Sequence, residues 1–237
     1  MYNLLISLTL ILSFAFSGTL TGTVSFEGKT KKRKAIPMDS DPICGKAHKG
    51  SKSLSESFIV DKDKNLKNVL VWLENVEYSG DVTNNPAVVD QVGCVYIPHV
   101  QGIMKGQELL IKNSDATLHN IHSMAKINNQ FNFAMPKVVK EKKTSFNKLE
   151  NPFYIKCDVH PWMKTWISVF DHPYFATTDG NGNYKIENIP AGEYNVIAWH
   201  EMDSKFEGFR QTGTITVGDG NSELSFKMEK GPKHKKK

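Results

Sequence analysis

Residues 156–170 read Lys-Cys-Asp-Val-His-Pro-Trp-Met-Lys-Thr-Trp-Ile-Ser-Val-Phe. The second half, 165–170, is short, β-branched and aromatic, the composition of a strand. The first half places Cys157, His160 and Met163 within seven residues. One turn at the end of a strand can therefore present a thiol, an imidazole and a thioether from one side.

Strand-like runs of the same kind recur at 21–27, 68–73, 107–112, 183–186, 194–199, 212–217 and 224–228, split by Gly, Asn and Asp turns. No stretch keeps a 3.6-residue period over three turns, so an all-β sandwich architecture is expected. Asp179-Gly180-Asn181-Gly182-Asn183 reads as a hairpin turn, where Gly and Asn accept positive φ. A calcium loop fails there, because the twelfth position is Pro190, which has no carboxylate. Asp61-x-Asp63-x-Asn65 fails as well, with Leu66 where the glycine belongs and Trp72 at the twelfth position.

A second motif stands upstream: Asn113-Ser114-Asp115-Ala116-Thr117-Leu118-His119-Asn120-Ile121-His122. With Cys157-x-x-His160-Pro161-x-Met163 it makes residues 106–171 resemble the cupredoxins, most of all the amicyanin-like ones. The resemblance implies a Greek-key β-sandwich holding one type 1 copper per chain. It makes His119 the upstream imidazole ligand, Cys157 the thiolate, His160 the second imidazole and Met163 the weak axial thioether. Asn120 would stand beside the thiolate. Leu118 replaces that family's proline, and the segment before the cysteine differs, so partner and potential do not carry over.

Outside that stretch, residues 22–27 and 175–196 resemble the carboxypeptidase regulatory-like, prealbumin-like β-sandwich. The likeness lies in Thr-Asp-Gly-Asn-Gly-Asn-Tyr-Lys-Ile at 178–186 and Ile-Pro-Ala-Gly-Glu-Tyr at 189–194. It implies a discontinuous module, 18–85 plus 172–229, with the cupredoxin domain, 86–171, inserted in it or next to it.

Copper alternates between a soft ion content with few ligands and a cupric ion that prefers nitrogen or oxygen donors, and a mixed sulfur–imidazole set serves both. Zinc prefers four strong donors in a closed site, and a thioether is weak for it. A cysteine nucleophile activated by histidine would leave Met163 unexplained. Haem attachment needs Cys-x-x-Cys-His, which is absent. His119 and His122, three apart, face opposite sides of a strand and chelate poorly together, so His122 is read as structural, contact with a metal or a partner being the alternative. His99, His172 and His200 are read as ordinary histidines unless several imidazoles converge into a second, catalytic copper site. Trp162 is either part of an apolar docking rim or core.

Residues 1–17 carry no charge, run apolar from Leu4 to Phe16 and end Ala-Phe-Ser, the pattern of a cleaved signal peptide. The apolar run is too short to span a bilayer, which takes roughly 20 residues. Export to a periplasmic or secreted location makes disulfides available. With three cysteines, Cys157 is the one kept for chemistry, and Cys44 and Cys94 form the expected bridge, two free thiols being the alternative.

Net charge is +5, concentrated at residues 29–34 and in a basic tail at 230–237. Such clusters suit an acidic partner or an anionic membrane surface, or act as solvated tails. Nucleic acid is disfavoured, since no aromatic-rich basic segment accompanies them. The reading that follows is a one-electron carrier serving a redox protein, such as a c-type cytochrome or a periplasmic oxidoreductase. Copper delivery is the alternative, and a copper oxidoreductase a further one.

Overall fold

The computed structural model describes residues 17–202 and 209–229. The expected signal peptide, apart from Ser17, and the basic tail at 230–237 lie outside the described residues. The described residues begin with β1 (Ser17–Glu27), a short helix α1 (Pro42–Ala47) and β2 (Leu70–Glu74). Then come β3 (Ala87–Val92), β4 (Val95–Ile97), β5 (Val100–Met104), β6 (Glu108–Asn113), β7 (His119–Ser123), β8 (Asn132–Met135), β9 (Glu141–Ser145), β10 (Glu150–Lys156) and β11 (Lys164–Phe170). The chain continues through β12 (Phe175–Thr177), β13 (Asn183–Pro190), β14 (Gly192–His200), β15 (Phe209–Val217), β16 (Asn221–Glu223) and β17 (Phe226–Glu229). The fold is all-β, as expected.

Among the described residues the strands form four sheets. The first holds β13, β1 and β16, with β17 also paired to β1, and the second runs β12-β2-β14-β15. The third runs β5-β11-β10-β7-β8 and the fourth β4-β3-β6-β9. Side chains alternate across a strand, which shows how the sheets stack. Val71 and Leu73 of β2 join Leu20 and Val24 of β1 in one apolar cluster, while Leu70 and Trp72 turn the other way, onto Trp166 and Phe170 of β11. On β11 itself, Ile167 and Val169 face Val89, Leu109 and Ile111 of the fourth sheet. The result is four layers with three apolar seams. Strands 68–73 and 165–170 read as nearly unbroken apolar runs because both of their faces are buried.

Glycine sets the spacing at one place in the outer layer. A Cβ at Gly22 would lie 1.9 Å from the carbonyl oxygen of Leu224, so β1 could not approach that segment with any larger residue.

The turn at Asp179 departs from the expected hairpin. It is tight, with Asp179 Oδ1 accepting the backbone N–H of Asn181 and Asn183, and Gly182 at φ 73°. It joins β12 to β13, which belong to different sheets, so it passes the chain between layers instead of closing a ladder. Turn chemistry specifies a reversal but not which ladders its arms join.

Between β1 and β2 the chain crosses the stack. Ile36, Met38 and Cys44 pack into the cluster between the third and fourth sheets, far along the sequence from their neighbours there. Helix α1 is started by Asp41, whose Oδ1 accepts from Ile43 N (2.7 Å) and Cys44 N (3.1 Å), with Pro42 in the first turn. Among the described residues no helix is long and apolar enough to cross a membrane.

Candidate metal centre

The ladder between β10 and β11 ends at Lys156 opposite Lys164, so residues 157–163 are the loop of a hairpin. The loop is tied to itself: Cys157 N donates to Met163 O, and Met163 N to His160 O (2.9 Å). His160 N also donates to Cys157 Sγ at 3.3 Å. This folding turns Cys157, His160 and Met163 into the apolar cluster between the third and fourth sheets, where each is buried. His119 arrives at the first residue of β7, a strand that pairs with β10. It is fully buried.

The donor atoms of His119, Cys157 and His160 lie within 4.8 Å of one another. His119 Nδ1 and His160 Nδ1 are 3.0 Å apart, and Cys157 Sγ is 3.9 Å from His160 Nδ1. Each ring turns its other nitrogen to a carboxylate: His119 Nε2 to Asp115 Oδ2 at 2.8 Å, and His160 Nε2 to Asp41 Oδ2 at 3.1 Å. A carboxylate only accepts, so the tautomer assigned from these partners puts the proton on Nε2 of both rings. Two Nδ1 lone pairs are then aimed at one point beside a sulfur. Such an arrangement repels itself unless a cation or a proton lies between the lone pairs, and the donor set fits a cation with affinity for both imidazole and thiolate.

The electrostatics prepare the same donors. Burial would raise the Cys157 thiol, but the hydrogen bond with His119 and the backbone N–H groups of His160, Asn120 and Val159 outweigh it and lower its pKa. Burial would lower His119, yet Asp115 and Cys157 hold it up at about 9 when no metal competes. Asp41 is held at about 2, its burial outweighed by Cys44 N, His160, Thr117 and Ile43 N. Asp115 is lowered for the same kind of reason, by His119 and the backbone of Cys94 and Gly93.

Asn120 lies beside the thiol, its N–H 3.4 Å from Cys157 Sγ and its Oδ1 accepting from Asp158 N, so it ties β7 to the loop. His122 faces away, paired with Asp158 at 2.9 Å. Trp162 is half-buried; its indole packs on His160 and donates to Cys94 O at 3.0 Å. Cys44 and Cys94 are disulfide-bonded and Cys157 is free. Cys44 Sγ sits 3.7 Å from His160 Nε2.

His99, His172 and His200 do not converge. His99 pairs with Glu201, which also takes Lys164 and the Trp166 indole N–H. His172 stacks between Phe170 and Tyr174. His200 is fully buried against the edge of Phe58 and its pKa falls to about 4, through burial first, opposed by the charge of Glu201.

Sequence reading missed Asp41 and Asp115. Asp115 stands four residues before His119, and the Asp41-Pro42 pair is a helix-start signal three residues before Cys44. Neither signal names a histidine partner.

Fold and site together define an all-β protein with a buried group of two imidazoles and a thiol. No protein-family model matches the chain, and no curated protein is similar to it. Among solved structures, it is similar to the copper-containing nitrite reductase of Thermus scotoductus SA-01, at 21% identity and TM-score 0.32, over 41% of this chain and 25% of that one. The chain thus spans about a quarter of that reductase. Amicyanin variants match likewise, one in the Cu(I) state at 18% identity and TM-score 0.33, over 42% of this chain and 98% of that one. These likenesses are partial, and the fold description rests on the sheets themselves.

Proposed function

We propose that this protein is a type 1 (blue) copper protein, binding one copper per chain and carrying single electrons between redox proteins. The observation that carries this reading is the convergence of His119 Nδ1, His160 Nδ1 and Cys157 Sγ, three strong donors. Met163, the fourth member of the set, is buried in the same cluster as Cys157. A fully closed zinc site would be expected to replace the thioether with a strong donor.

Bound copper would supply a reversible one-electron couple. The chain supplies the rest. Asp115 and Asp41 fix both rings through Nε2 and keep the Nδ1 lone pairs free for the metal. The N–H groups of Asn120 and His160 draw charge from the thiolate sulfur, and the surrounding core excludes water. A rigid, dry set of donors limits rearrangement when the electron moves. Burial of all four side chains favours retention of the metal over delivery to another protein.

The partner in this reading is a redox protein such as a c-type cytochrome or periplasmic oxidoreductase, met after export. Lys29, Lys31, Lys32, Arg33 and Lys34 line a cavity of about 320 Å³ with Phe26 and Phe58, a surface suited to an acidic partner. The first and second sheets are read as the regulatory-like module that carries the third and fourth.

The test is reconstitution of the chain from residue 18 with one equivalent of Cu(II). We expect an intense thiolate-to-copper band in the red, bleached by ascorbate and absent in Cys157→Ala. A colourless product with bound metal would overturn the electron-carrier reading, and rapid loss of copper to a chelator would move it to delivery.

A further inference from the structure

The inner donors are buried, so any metal that reaches them must cross a wall of the protein, and the composition of that wall is unusual. Behind each imidazole stands one carboxylate and one cysteine of the disulfide. Asp41, Cys44 and His160 offer donor atoms within 4.8 Å of one another, and so do Asp115, Cys94 and His119. The two halves are built alike. Asp41 accepts from the backbone N–H of Cys44 and faces His160 Nε2; Asp115 accepts from the backbone N–H of Cys94 and faces His119 Nε2. The carboxylates are the outermost members, with 18% and 11% of their side-chain surface exposed, while both cysteines are at 0%.

We propose that Cys44 and Cys94, in their dithiol form and with Asp41 and Asp115, are a second, soft-metal site through which metal enters the buried centre. The proposal rests on the reading of the inner donors as a metal centre. With the disulfide closed, neither sulfur offers a thiolate and the wall is sealed. A dithiol reductant supplies two electrons and two protons, the Cys44–Cys94 bond breaks, and the reductant leaves as its own disulfide. Metal binding then displaces the thiol protons. A metal held there would face the Nε2 side of the two rings whose Nδ1 atoms face the inner centre, and it would compete with their Nε2 protons for Asp41 and Asp115. Thiolate and carboxylate together suit a thiophilic divalent ion or Cu(I).

The experiment titrates Cd(II) into wild-type and Cys157→Ala chains, each as the disulfide and after dithiol reduction and anaerobic desalting. Cadmium–thiolate absorption and far-ultraviolet circular dichroism are read together. Reduction should add about one equivalent of bound Cd(II) with new thiolate absorption in both chains, since the two sulfurs lie side by side and can share one ion. A Cys44→Ser/Cys94→Ser chain should lack that increment. Asp41→Asn/Asp115→Asn should weaken it about 10–100-fold, the usual cost of losing groups that support a site. A folded, reduced protein that binds no more cadmium than the disulfide form would overturn the proposal. So would unfolding of both chains on reduction, because a port must exist in the folded protein. Failure of the inner centre reads differently: the wild-type disulfide form would then bind no more than Cys157→Ala, while the increment on reduction is untouched.

Discussion

At the scale of residues, the centre divides into what proximity in sequence displays and what only folding brings together. Cys157, His160 and Met163 were legible because they share one loop, and three uncommon donors in seven residues are a strong pattern. His119 was legible only through resemblance, since its place beside Cys157 depends on the β7–β10 pairing. Asp41 and Asp115 were not legible: a carboxylate in a loop is ordinary, and its role appears only when an imidazole nitrogen lies within 3.1 Å. Their importance can be measured. Asp115→Asn removes the charge that holds His119 Nε2–H, and the variant should bind Cu(II) about 10–100-fold more weakly in competition with a chelator. Unchanged affinity would mean that the core alone positions the ring.

At the scale of elements, burial on two faces decided which strands could be read. The runs at 68–73 and 165–170 announce themselves because β2 and β11 lie between apolar seams. Strand β9, Glu-Lys-Lys-Thr-Ser, is polar throughout; it is an edge strand whose conformation comes from the ladder with β6, not from its own composition. β10 contains Pro152, which argues against a strand, and the structure accommodates it at a register shift between Glu150 and Phe153. Helix α1, with six residues, is too short to show a period. The middle seam is the element-scale joint of the molecule. Trp199 of β14 is fully buried there, edge-on to Trp166 of β11 at 5.1 Å. Trp199→Ala should cost about 3–5 kcal/mol in a denaturant titration. A cost below about 1 kcal/mol would show that the two pairs of sheets do not depend on this seam.

For the whole molecule, the end of β14 sets the response to acid, with His200 packed on Phe58 on the face opposite to Trp199. His200 is buried and neutral, with a folded pKa of about 4 against 6.5 when exposed. The unfolded chain therefore binds the extra proton first. Its contribution is complete above pH 6.5 and is lost as pH falls toward 4, about 3 kcal/mol over the full window. Glu201 adds a second loss lower down. Burial would raise it, but His99 and Lys164 hold it near 2 against 4.5, so its stabilisation is present above pH 4.5 and disappears as pH falls toward 2. Denaturant midpoints of the metal-free protein should accordingly drop between pH 7 and 4, and His200→Leu should flatten that drop. An unchanged slope in the variant would place the acid sensitivity elsewhere.

The Cys44–Cys94 bond has a further meaning when counted in chain entropy. It joins residues 50 apart in sequence, and a loop of that length restrains the unfolded chain by about 4 kcal/mol in the loop-closure account. Opening the bond thus gives back a large part of a typical domain's margin of about 5–15 kcal/mol. The helix that carries Cys44 is short and is held at its start by Asp41, so the freedom regained falls first on the crossing segment between β1 and β2, while the ladders beneath the donors keep their own hydrogen bonds. A protein built this way would exchange firmness of its cap for access to its interior, and would be at its loosest while empty and reduced.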